Sequence, residues 1–182
     1  MTALFGKKIG MTQIFDNVGN LVGVTVIEVG PCKISRVKTL ASDGYQAIQL
    51  DFGGKKKEVR VEKTDGIEAG QELKVDLFKV GEIVDISGDA IGKGFAGRIK
   101  RWHQHRGPMS HGSKFHRIAG SIGSGTTPGR VWKGKQMAGR LGGKQVTNKR
   151  VTIAQIIAEK NLLLVNGSVP GKRGNLVMVK KA

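Results

Sequence analysis

The chain has 182 residues and a mass of 19.5 kDa, enough for one or two domains at about 150 residues each. Lys and Arg total 31 against 14 Asp and Glu, a net charge of +17 with a pI near 10.3, while only 38% of residues are hydrophobic and 5% aromatic. So much charge of one sign resists compaction unless a polyanion neutralises it, which disfavours a metabolic enzyme with a neutral substrate; the single cysteine, Cys32, excludes a disulfide scaffold, and no run approaches the roughly 18 apolar residues of a membrane helix.

The opening Met1-Thr2-Ala3-Leu4-Phe5-Gly6-Lys7-Lys8 has no long apolar stretch and no cleavage-like site. No signal peptide is expected, and the chain reads as a cytosolic, soluble protein. Residues 1–89 read as strands. Leu21-Val22-Gly23-Val24-Thr25-Val26-Ile27-Glu28-Val29 is β-branched and apolar on both faces, as in a closed barrel or sandwich. Asp16-Asn17-Val18-Gly19-Asn20 before it has turn composition. Lys33 to Leu40 and Tyr45 to Phe52 flank Ser42-Asp43-Gly44, a second hairpin signal. Ile48, Leu50 and Phe52 fall on one face of that strand, and Gln49 and Asp51 on the other. Pro31 marks a strand junction, where its missing N–H does least harm.

Gly53-Gly54-Lys55-Lys56-Lys57 reads as a loop, and Val59 and Val61 alternate with charges as in an edge strand. Glu82-Ile83-Val84-Asp85-Ile86-Ser87 is a short strand. The pattern then breaks. Between Asp89 and Glu159 there are 69 residues without a carboxylate. Residues 90–150 carry 14 Lys and Arg and 13 of the 28 glycines, with apolar residues thinned to 17 of 61. Strand signals return in Val151-Thr152-Ile153-Ala154-Gln155-Ile156-Ile157 and Leu162-Leu163-Leu164-Val165, a hairpin about Glu159-Lys160-Asn161. Leu176-Val177-Met178-Val179 follows the turn Val169-Pro170-Gly171-Lys172-Arg173-Gly174. The expected fold is mainly β: a small closed barrel from residues 1–89 and 151–182, interrupted by a long basic, glycine-rich extended insertion at 90–150. The insertion should leave and re-enter the barrel at adjacent strands.

Like charges with little apolar material do not collapse alone, so the insertion should be floppy in isolation and order against a counter-charged surface. Long loops in compact domains are functional or disordered. A plain linker is the simplest reading, but Phe95, Trp102, Phe115, Ile118, Ile122, Trp132 and Met137 stand against it. The bases are Lys93, Arg98, Lys100, Arg101, Arg106, Lys114, Arg117, Arg130, Lys133, Lys135, Arg140, Lys144, Lys149 and Arg150. Their spacing suits an extended strand tracking a phosphate backbone with steeply salt-dependent binding. Arginine can fork onto phosphate or stack on a base, and Trp102, Trp132 and Phe115 can stack on unpaired bases, as in recognition of folded RNA.

All four histidines, His103, His105, His111 and His116, lie here. With no Cys, Asp or Glu near them and no helical zinc spacing, no metal site is expected. A ribonuclease-like His/Lys acid–base site needs no carboxylate and is the enzymatic alternative, but a mobile glycine-rich segment does not preorganise two imidazoles. RNA stacking or phosphate hydrogen bonding is the better reading of the four. Gly92-Lys93-Gly94-Phe95-Ala96-Gly97 fits a dinucleotide fingerprint in letters only, since no βαβ unit or following acid accompanies it. Cys32 reads as a buried small hydrophobe.

Specific runs carry a resemblance. They are Gly6-Lys7-Lys8-Ile9-Gly10-Met11-Thr12, Gly92-Lys93-Gly94 with Gly97 and Arg101, His111-Gly112-Ser113-Lys114-Phe115-His116-Arg117, Gly120-Ser121-Ile122-Gly123, Thr127-Pro128-Gly129-Arg130-Val131 and Lys133-Gly134-Lys135-Gln136-Met137-Ala138-Gly139. With these the chain resembles the ribosomal protein L3 family of the large subunit, in its bacterial form, over nearly its whole length. It departs at Ala90, where Ser or Thr is usual, and at Thr126, where relatives can carry a methylated glutamine. It is also shorter around residues 55–70, where the family inserts a small helical excursion. The resemblance implies a translation-protein-like barrel at the subunit surface and an arm through ribosomal RNA toward the peptidyl transferase centre. It maps the arm's tip to Gly123, Ser124, Gly125, Thr126, Thr127 and Pro128, adds Lys7 and Lys8 to the RNA-binding set, and implies a buttress of catalytic RNA with no catalysis of its own. Early assembly and neighbouring ribosomal proteins are implied as partners, with no cofactor, membrane or small-molecule substrate. A general nucleic-acid compactor is the remaining alternative.

Overall fold

The computed structural model describes residues 3–16, 18–61 and 66–182. Asn17 of the first expected turn, Met1 and Thr2 of the opening, and residues 62–65 within the shortened 55–70 region lie outside the described residues. In chain order come β1 (Ala3–Phe15), β2 (Leu21–Val29), β3 (Cys32–Lys38), the helical turn α1 (Leu40–Asp43), β4 (Ala47–Phe52), β5 (Lys55–Arg60) and β6 (Glu72–Leu73). There follow β7 (Ile83–Asp89), β8 (Phe95–Ala96), α2 (Arg98–Trp102), β9 (Gly139–Arg140), β10 (Gln145–Ile157), β11 (Leu162–Asn166) and β12 (Leu176–Lys181). The protein is mainly β, as its β-branched runs predict.

The described chain forms two compact units, one of residues up to Ile91 together with those from Lys144 onward, the other Gly92–Gly143. In the first, six antiparallel strands pair in the order β1-β12-β7-β10-β11-β2, and β2 pairs back to β1, so this ladder has no free edge. The chain's last strand thus pairs with its first, and β7 and β10, which bracket the second unit in sequence, are hydrogen-bonded neighbours. A second sheet runs β5-β4-β3-β6. One core joins the two sheets: Leu4, Ile27, Ile86, Ile153, Leu163 and Val179 from the ring, and Cys32, Ile34, Ile48, Leu50 and Val75 from the second sheet and its flank, all 0–1% exposed. Inward Val177 and Val179 alternate with half-buried Leu176 and Met178 on β12, the period-2 pattern of a one-faced strand.

Three local expectations change. Gly53 and Gly54 alone make the β4–β5 turn, both at positive φ (57° and 78°), and Lys55–Lys57 are strand residues paired with Phe52, Asp51 and Leu50. Two glycines at positive φ suit the twist of a two-residue hairpin, and the following lysines blunt an outer strand against edge-to-edge pairing. Val59 of that strand is buried, and β5 lies at the end of its sheet. The Ser42-Asp43-Gly44 connection is a helical turn closed by Gly44 at φ 76°. Residues 145–150 belong to β10: Gln145 to Asn148 pair with Asp89 to Ile86, although the composition places them in the insertion. Their mostly polar and mostly exposed side chains hide a strand whose backbone is held by β7.

Candidate nucleic-acid interface

The unit Gly92–Gly143 holds eleven of the Lys and Arg and no acid. Among the described residues of this unit only Ala96 is buried. Phe95 is 78% exposed, Phe115 63%, Ile118 64% and Trp132 60%. Large apolar side chains interleaved with cations, and no core beneath them, make a surface that lacks its counterpart.

The unit is a folded-back ribbon rather than the extended strand expected from spacing. Lys93 N–H donates to Leu141 O (2.8 Å), Leu141 N–H to Gly94 O (2.9 Å), and β8 pairs with β9. Past Gly97 the chain turns through α2. Arg101 Nη1 and Trp102 Nε1 both donate to Met137 O at 2.9 Å, and the Arg101 guanidinium lies 5.1 Å from the Trp102 ring centroid. Gly139 faces that guanidinium so closely that a Cβ would collide with it. Gln104 Nε2 donates to Gln136 Oε1 at 2.7 Å. Farther along, Gly107 N–H donates to His116 O (3.0 Å), His116 Nδ1 bonds Pro108 O (2.9 Å), and Arg98 Nη1 donates to Ala119 O.

These contacts divide the expected RNA-binding residues. Arg98 and Arg101 are half-buried and serve as ties between the two legs of the ribbon. Trp102 is tied through its indole N–H, with 40% of the residue still exposed. Lys93, Lys100, Arg106, Lys114, Arg117, Arg130, Lys133, Lys135 and Arg140 are exposed, and the Arg130 guanidinium sits 5.3 Å from the Trp132 ring. His103, His105 and His111 are exposed, with His103 and His111 at positive φ (55° and 59°). No hydrogen bond joins two imidazoles, and no cluster of three metal-ligating side chains occurs, among the described residues. Gly123 to Thr127 are exposed, and a shallow hollow of about 220 Å³ is lined by Ile122 to Gly125 and Gly129 to Val131.

Other expected residues lie on the first unit. Lys7 is exposed, but Lys8 Nζ donates to Val169 O (2.8 Å) and Gly171 O (3.2 Å) and anchors the loop before β12. Lys144 is exposed. Lys149 and Arg150 form a bulge in β10, with Arg150 at φ 58° and its N–H donating to Asp85 Oδ1 (2.9 Å). They line an open, polar hollow of about 520 Å³ with Thr147, Asn148, Asn166 and Ser168. Cys32 is fully buried, its Sγ donating to Phe5 O, and burial pushes its thiol pKa up, which leaves it an unreactive core group. The glycine run at 92–97 leads into a two-residue strand and a five-residue helix, so no dinucleotide cradle forms. Sequence reasoning missed Gln104, Gln136 and the Met137 carbonyl as leg-to-leg ties, because an uncharged amide or a backbone oxygen carries no compositional signal.

The ribosomal protein L3 family model matches residues 46–160. The chain is 49% identical over 200 residues to large ribosomal subunit protein uL3 of Prochlorococcus marinus (strain AS9601), covering 97% of this chain and 92% of the relative. It is 48% identical over 202 residues to the protein of that name from Trichormus variabilis, covering 98% and 96%, and 48% identical to that of Synechococcus sp. (strain RCC307), covering 98% and 94%. These alignments are longer than the chain, so the relatives carry residues that it lacks.

Proposed function

This chain belongs to the ribosomal protein L3 family, and from that premise we propose that it binds large-subunit ribosomal RNA chiefly through residues 90–150. It is a structural constituent of the large ribosomal subunit, not an enzyme, and works in the ribosome of the cytoplasm beside neighbouring ribosomal proteins. In this reading the body of residues 1–89 and 151–182, completed by the strand residues 145–150, carries a closed barrel of the translation-protein type at the subunit surface. The insertion threads the RNA, and Gly123 to Pro128 lie at its tip near the peptidyl transferase centre, where they buttress RNA that does the chemistry. Assembly onto the RNA is early, because the insertion gains its packing partner only there.

One observation carries the reading: eleven cations, no acid and a single buried residue in a 52-residue unit. A unit that buries so little of itself needs an external surface, and its charge selects an anionic one. The exposed Trp132, Phe115 and Phe95 favour unpaired bases over a uniform duplex.

The test is binding of the purified chain to large-subunit ribosomal RNA and to an equal mass of duplex DNA across a salt series. A preference for the RNA that persists at moderate salt is expected. Equal affinities that vanish together would reduce the insertion to a nonspecific polycation. RNA cleavage that is lost on replacing His103, His105, His111 and His116 by Ala would instead support the ribonuclease reading.

A further inference from the structure

A cleft of about 580 Å³ opens on the first unit, and of the residues expected to bind RNA only Lys7 lines it. One wall is a cross-strand row on the ring, in which Leu176 of β12 faces Lys7 of β1 and Lys7 faces Glu28 of β2. The other wall comes from the second sheet and its entry, with Pro31 before β3, and Phe52 and Lys55 paired across the two-glycine turn. The volume suits a small planar group with its substituents.

The charges there are idle. Lys7 and Glu28 are opposite each other on the ladder yet form no ion pair, and Lys55 also has none, among the described residues. Two free ammoniums, one free carboxylate and an apolar wall of Phe52, Pro31 and Leu176 converge on one space. An acidic protein segment would meet Glu28 unfavourably, and an apolar one would leave three charges to be desolvated without partners. A nucleotide satisfies all of them. Its base would pack on Phe52 and Pro31, its phosphate would lie between Lys7 and Lys55, and Glu28 would accept N–H groups from the base edge. Guanine offers two adjacent donors, N1–H and the N2 amino group, which match the two oxygens of one carboxylate.

We infer that this cleft binds one unstacked guanine nucleotide of the large-subunit RNA, a second RNA contact on the body of the protein. The inference rests on the RNA-binding reading above. It is tested by ultraviolet crosslinking of the full chain to transcribed large-subunit RNA, with nucleotide adducts mapped by mass spectrometry. A guanosine adduct is expected on the Thr39–Lys55 tryptic peptide, at Phe52. Lys7→Gln and Lys55→Gln, both at exposed positions, should together reduce the slope of log affinity against log salt by about 0.7–0.9, because the two ammoniums share one phosphate. Glu28→Gln should lower the guanosine share of those adducts about tenfold with the slope unchanged or steeper, since the loss of a bidentate base contact is of that order. Adducts on peptides containing Phe115 or Trp132 but none at Phe52, with the slope unmoved by either lysine change, would overturn the cleft and leave the insertion's role intact. Adducts nowhere would overturn both. A crosslink from Phe52 to another protein in assembled subunits would also overturn it.

Discussion

Lys8 and Lys133 are identical in composition and opposite in use. The Lys8 ammonium is half-buried and donates to two carbonyls of the 169–171 loop, while Lys133 is exposed in the acid-free unit. Lys8→Ala should therefore destabilise the protein by about 1.5–3 kcal/mol, the range for charge-assisted hydrogen bonds, seen as a lower urea midpoint with an unchanged salt slope of RNA binding. Lys133→Gln should do the reverse, leaving the midpoint and flattening the slope by about 0.7–0.9. Interchanged results would show that Lys8 is the RNA ligand and Lys133 the structural one. Gly6 is a second position where place decides. A Cβ there would lie 2.6 Å from Glu28 O and 2.9 Å from Ile27 Cγ2, where Gly6 pairs with Val29 on the β1–β2 ladder. Gly6→Ala should cost about 1–3 kcal/mol by overpacking, read as a lower urea midpoint. An unshifted midpoint would mean that β1 yields freely. The glycine was legible as part of a family run, but the reason only Gly fits it was not, because the obstruction comes from a neighbouring strand.

Strands with alternating apolar residues were legible, and strands held by backbone pairing alone were not. β4 shows its buried face in the letters, whereas Gln145 to Asn148 read as loop because β7 supplies their partners across 56 or more residues of chain. The leg-to-leg ties of Arg101 and Trp102 onto Met137 were hidden for the same reason. Between elements, the second sheet has its own electrostatic stitch. Lys38 of β3 bonds Glu58 Oε1 of β5 (2.7 Å) and the Tyr45 hydroxyl (2.7 Å), and that hydroxyl donates to Glu58 Oε2 (2.9 Å). Hydrogen bonding from Lys38, then from Tyr45, holds the Glu58 carboxyl below the ordinary glutamate range. A folded-state value below the unfolded one, about 4.3, gives stability that is present above that pH and lost as pH falls through the folded value. Glu58→Gln should thus narrow the difference between urea midpoints measured at pH 7 and pH 3. A difference as large as the parent's would show that solvent screens the stitch to nothing.

At the scale of the whole molecule, charge and packing are partitioned between different stretches of one chain. Eleven of the seventeen net charges lie in Gly92–Gly143, and nearly every buried residue lies outside it. This division was legible because acids stop at Asp89 and resume at Glu159, although the strand of residues 145–150 blurred its edge. It has a physical consequence that can be measured. Ala90 N–H donates to Lys144 O at 2.9 Å, and the β7–β10 ladder runs to the Asp89–Gln145 pair, so the chain ends left by removing 92–143 are already side by side. Joining Ile91 to Lys144 through a short Gly/Ser link removes no buried hydrophobic except Ala96. The shortened chain should unfold cooperatively near the parent's urea midpoint. Its RNA binding should weaken sharply, with the salt slope reduced by as much as about 8–10 if every lost cation sits on a phosphate. A smaller reduction counts the cations that act as ties, among which Arg98 and Arg101 are expected. A shortened chain that fails to fold would mean that the ring needs the insertion, and one that keeps the parent's slope would place the RNA on the body alone. If it folds and keeps a small residual slope that Lys7→Gln and Lys55→Gln then abolish, the two RNA contacts are separable, one made by charge without a core and the other by a cleft built on one.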